Sequence, residues 1–143
     1  MHNNKPPLVL SGPLLRRLTP DRLTIWLATQ CDCECRLELS LPDGDRLVLD
    51  AATVGPHQHQ LQAGEHCYFV LLDLPMPSPL PVDVWIGYDL LLRGSAAKGG
   101  DGWLSCTEWA PDLTYVNRQT PGFVIKKQLD KILHGSCRKP HHP

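Results

Sequence analysis

Residues 31–41 read Cys, Asp, Cys, Glu, Cys, Arg, Leu, Glu, Leu, Ser, Leu, an unbroken alternation of apolar and polar side chains. Successive side chains of a strand point to opposite faces, so this pattern predicts a half-buried β-strand. Cys31, Cys33, Cys35, Leu37, Leu39 and Leu41 would face a core, and Asp32, Glu34, Arg36, Glu38 and Ser40 would face water. Pro42, Asp43, Gly44 and Asp45 supply turn chemistry, and residues 46–50 return as the second arm of a hairpin with Leu47 and Leu49 inward. Upstream, after a turn at Thr19, Pro20 and Asp21, residues 22–29 set Leu23, Ile25 and Leu27 against Thr24, Trp26 and Ala28. That strand should be partly covered on both faces. Residues 66–74 are dense in β-formers, and residues 82–92 alternate so that Val82, Val84, Ile86 and Tyr88 share one face.

Residues 75–81, Pro-Met-Pro-Ser-Pro-Leu-Pro, lack the backbone donors and the φ freedom of a helix or central strand. They read as a crossing connection at one end of a sandwich. Short strands separated by Pro- and Gly-rich turns predict an all-β fold, an antiparallel sandwich of the immunoglobulin or fibronectin type III kind with an irregular C-terminal connector. The sandwich is expected over residues 1–93. Residues 94–122 open on the linker-like Gly-Ser-Ala-Ala-Lys-Gly-Gly and continue through a segment, 103–115, of no clear period. In residues 123–143, Leu129, Ile132 and Leu133 sit at helical spacing, while 131–137 reads equally as a strand leading out.

The chain has 143 residues, 42% hydrophobic and 20% charged, with a formal net charge of -1. That suits one globular domain and excludes a disordered tail. Near-neutral charge gives no field to steer the chain toward nucleic acid or anionic lipid, and neither is an expected partner. No run approaches the roughly 20 apolar residues of a membrane span. The opening apolar stretch, Leu8 to Leu10, is broken by Ser11, Gly12 and Pro13 and is followed, not preceded, by Arg16 and Arg17. This is not signal-peptide order, and a cytoplasmic location is expected.

Six cysteines invite a disulfide or metal reading. Same-face strand neighbours lie about 6.6 Å apart with parallel Cβ vectors, whereas sulfurs around zinc sit roughly 3.8 Å apart. Cys31, Cys33 and Cys35 are therefore expected as reduced, buried thiols, with a metal site as the alternative. His57, His59 and His66 read as solvated loop histidines, since no carboxylate or cysteine completes a ligand set. Trp26, Trp85, Trp103 and Trp109 are expected to pack in the core and at edges; a ligand-stacking platform is the alternative. Lys126, Lys127, Lys131, Arg138 and Lys139 fit a solvated or interdomain face as well as a phosphate site.

Two stretches go beyond a generic sandwich. Gly12 and Pro13, then Arg-Leu-Thr-Pro-Asp-Arg-Leu-Thr-Ile-Trp-Leu up to Leu27, and at the other end His134-Gly135-Ser136-Cys137-Arg138-Lys139-Pro140, resemble alkaline phosphatase D-like metallophosphatases. The first is similar to the opening of that family's amino-terminal β-sandwich and the second to the start of its metallophosphatase domain. The resemblance implies that residues 123–143 begin a catalytic domain whose later motifs do not occur in this chain. It implies a non-catalytic sandwich whose partner is that domain, in a phosphoesterase whose transition metal, iron alone or with calcium, takes Cys137 as one ligand. A thiolate beside Arg138 and Lys139 suits such a metal. No catalytic or cofactor-binding residue is expected within the sandwich. An independent immunoglobulin-like module that binds protein or carbohydrate is the alternative.

Overall fold

The computed structural model describes residues 6–95 and 102–135. Eight strands and two one-turn helices follow in order: β1 (Val9–Thr19), β2 (Arg22–Thr29), β3 (Cys33–Ser40), β4 (Arg46–Leu49), α1 (Ala51–Val54), β5 (Gln58–Gly64), β6 (Cys67–Pro75), β7 (Trp85–Gly94), α2 (Cys106–Trp109) and β8 (Gly122–Val124). They form two four-stranded sheets, ordered β1-β2-β6-β5 and β4-β3-β7-β8, with every pair antiparallel. The chain changes sheet between β2 and β3, between β4 and β5, and again through the proline-rich crossing between β6 and β7. This is the Greek-key order of an immunoglobulin-like sandwich, an ABED sheet against a C′CFG sheet.

The core lies between the sheets, where alternation delivers the inward residues of each strand. Leu23, Ile25 and Leu27 of β2 and Val70, Leu72 and Leu74 of β6 meet Cys33, Cys35, Leu37 and Leu39 of β3 and Ile86, Tyr88, Leu90 and Leu92 of β7. Each fully buried leucine or isoleucine contributes about 1.5–3 kcal/mol through removal from water. Beside β2, Gly12 at φ 94° lets β1 press so close that a Cβ there would lie 2.9 Å from the Trp26 carbonyl.

Several expectations change at the strand ends. Cys31 precedes β3 and Leu41 follows it, and both are only half-buried. Glu38 does point outward, but Arg36 (2.5 Å) and Arg46 close over it and leave it 9% exposed. Val82 and Val84 lie outside β7, which starts at Trp85. β5 carries the sequence Gln-His-Gln-Leu-Gln-Ala-Gly; an edge strand with little to bury shows no apolar alternation.

The sandwich also continues past Arg93, where the sequence suggested it would end. Leu104 exchanges backbone hydrogen bonds with Leu92 at 2.9 and 3.0 Å, and α2 lies against β7. β8 adds a strand to β7, and Phe123 and Ile125, expected at the start of a separate unit, are 6% and 4% exposed within the common core. Gly122 permits the closeness of β8, because a Cβ there would fall 2.5 Å from both the Ile86 carbonyl and the Trp85 ring. Residues 126–135 take neither of the forms foreseen for them, helix or strand. A helix that short is not stable without a face to pack on, and Leu129, Ile132 and Leu133 stand 69, 76 and 99% exposed.

Candidate functional site

A surface cleft of about 680 Å³ opens at one end of the C′CFG sheet. Ser40, Leu41 and Pro42 of the β3–β4 turn form one wall, Val84, Trp85 and Gly87 its floor, and residues 117–120 the other wall. Arg118 lays its guanidinium over the Trp85 ring at 4.5 Å from the centroid. Tyr115 meets the same indole edge-on, with centroids 6.0 Å apart. The lining offers hydroxyl, amide and guanidinium groups and no carboxylate, imidazole or thiol. Such a cleft can hold a polar or anionic group by hydrogen bonds and cationic charge, but it has no base to activate the Ser40 or Thr120 hydroxyl as a nucleophile.

A smaller hollow of about 290 Å³ lies beside the cysteine strand, lined in part by Asp32, Cys33, Glu34, Cys35, Gln58 and Gln60. Gln58 Nε2 donates to the Cys33 carbonyl at 2.7 Å, and Gln60 Nε2 to Asp32 at 2.8 Å. The two glutamines close the gap between β3 and β5. Cys33 and Cys35 point into the core from the same face of β3. The neighbouring Cys33 thiol and burial hold the Cys35 thiol protonated, far above its ordinary range. Among the described residues no three His, Cys, Asp or Glu side chains converge as a metal site.

The histidines are dispersed. His57 ends a 3-10 turn, His59 stands on the outer face of β5 opposite Leu71, and His66 sits on the β5–β6 turn with Glu65 3.8 Å away. The tryptophans are likewise divided. Trp26 lies on the outer face of the ABED sheet, 6.0 Å from Phe69; Trp103 lies under Arg93 at 4.7 Å; and Trp109 packs against the core and donates to the Leu90 carbonyl at 3.1 Å. They share no platform. Lys126 pairs with Asp83 at 2.8 Å. Cys137, Arg138 and Lys139, the candidate metal ligand and its basic neighbours, lie outside the described residues.

Two features escaped the sequence reading, and a signal was present for the first. Ser105 and Glu108 form a capping box at α2, a spacing readable as Ser-x-x-Glu. Asp89 accepts from both Ser105 Oγ and the Cys106 amide at 2.8 Å. Burial, reinforced by the Asp89 carboxylate, pushes the Cys106 thiol up to about 12. No family model, curated protein or solved structure matches the chain.

Proposed function

We propose that this chain is a non-catalytic immunoglobulin-like sandwich that docks onto a metal-dependent phosphoesterase domain of the alkaline phosphatase D kind. The observation that carries the docking role is the exit segment. Leu129, Ile132 and Leu133 follow a closed core yet remain exposed, and three large apolar side chains within five residues suit burial against another folded unit. What supports the phosphoesterase attribution is the resemblance around Cys137, together with that of residues 12–27. In that setting Cys137 would be one ligand of the transition metal, which would supply Lewis-acid polarisation of a phosphate ester and activation of water. The sandwich contributes attachment and shape.

Reading the source gene beyond the codon for Pro143 tests this proposal. An in-frame metallophosphatase domain is the expected result, and a stop codon or an unrelated domain would overturn it. A second reading is favoured by the cleft of Trp85, Arg118, Asn117 and Gln119, which fits a small polar ligand bound by the sandwich alone. That reading predicts a ligand-dependent change in tryptophan emission that Arg118→Ala abolishes. A glycan and phosphate-ester screen with no such change would exclude it.

A further inference from the structure

The two outer faces of the sandwich differ sharply. On the C′CFG side, paired charges stand on the outward surface, with Arg36 and Arg46 on Glu38 and Arg93 on Glu34, and α2 lies along the edge of β7. The ABED side carries one such pair, Arg22 on Asp73, and among the described residues no segment lies over it. Register places Leu14, Trp26, Leu71 and His59 in one row across its four strands, and Ala28, Phe69 and Leu61 in the next. Leu14, Phe69 and Leu61 are 48, 40 and 65% exposed. Two shallow hollows, about 580 and 310 Å³, flank Trp26 and Leu71.

We infer that this face packs against the same face of a second copy of the chain, about a two-fold axis that runs along the strands between β2 and β6. Under that operation each β2 residue lies over its own cross-strand partner on β6 of the second copy. Trp26 meets Leu71 of the second copy, and exposed Phe69 lies over Ala28, which its own neighbours leave 4% exposed. Arg16, exposed at the rim of one hollow, comes within one strand spacing of the second copy's Asp73. Two sheets packed face to face lie about 10 Å apart with strands inclined by about 30°, a separation these side chains span. A net charge of -1 leaves no repulsion between copies. Four strands of about eight residues cover roughly 500 Å², a footprint at the low end for specific association, so the dimer is reversible. This inference is independent of the phosphoesterase reading.

Sedimentation velocity on the full chain, at concentrations up to about 100 µM, tests it. A concentration-dependent monomer–dimer equilibrium is expected. Leu71→Glu, and separately Phe69→Lys, should weaken it at least about 100-fold, because each leaves an unpaired charge in the contact. Val48→Glu on the opposite face and Leu133→Asp in the exit segment should leave it unchanged. Near-UV circular dichroism establishes that each variant is folded, and the two outer-face variants are read independently should one fail to fold. A chain that stays monomeric throughout the range, or a dimer lost in Leu133→Asp and kept in Leu71→Glu, would overturn the inference.

Discussion

Asp73 shows how one side chain on an otherwise apolar face is held in place. Arg22 grips its carboxylate at 2.6 and 2.8 Å, and Thr24 donates at 3.1 Å. The Arg22 hydrogen bonds, with Thr24 adding to them, pull the Asp73 carboxyl down to about 2. A carboxyl depressed in the folded state stabilises above its unfolded value, near 4, and loses that contribution as pH falls toward 2. The pair is partly open to solvent, so its worth at neutral pH is about 1 kcal/mol after screening. Asp73→Asn should therefore cost about that much in urea unfolding at pH 7, and roughly half as much near pH 3. A cost independent of pH would show that the charge is irrelevant.

Strands and turns were legible where burial writes a pattern. β2 and β3 could be read directly because Leu23, Ile25, Leu27, Cys33, Cys35, Leu37 and Leu39 alternate with polar neighbours and fill one core. β5 was hidden because its outward residues are exposed and its inward Gln58 and Gln60 bond to Cys33 of β3 and to Asp32 just before it in place of apolar packing. The segment around α2 was hidden for another reason. It is held by tertiary hydrogen bonds to Asp89, and no periodicity within residues 103–115 records that partner. Asp89→Ala should free the Ser105 hydroxyl and the Cys106 amide, at a cost of about 1–3 kcal/mol. The released Cys106 should then alkylate at least about 10-fold faster with iodoacetamide, its burial no longer protecting the thiol. Peptide mapping by mass spectrometry gives the rate; no acceleration would mean that α2 stays docked without Asp89. Of the candidate sites, Cys137 rests on resemblance alone, since it lies outside the described residues.

For the molecule as a whole, closure of the core depends on residues that look like linker. A chain ended after Arg93 would lose Phe123 and Ile125 from the interior and β8 from the edge of β7. Losing a buried Phe and a buried Ile costs about 5–10 kcal/mol, comparable with the entire stability of a small domain. Such a chain should lack the near-UV circular dichroism of packed aromatics, and a native-like spectrum would show that the first seven strands close a core unaided. The clasp beyond β8 then acquires a mechanical meaning. Asp83, in the left-handed region at φ 58°, donates its amide to the Ile125 carbonyl at 2.7 Å and receives the Lys127 amide at 3.3 Å and Lys126 Nζ at 2.8 Å. Asp tolerates that backbone at small cost. The chain is thus pinned on both sides of Lys126 to the corner that precedes β7, and its departure angle is set by the sandwich. The chain at residue 128 therefore leaves from a bracket, so a rotation of the sandwich is passed on as a rotation of the chain at that point.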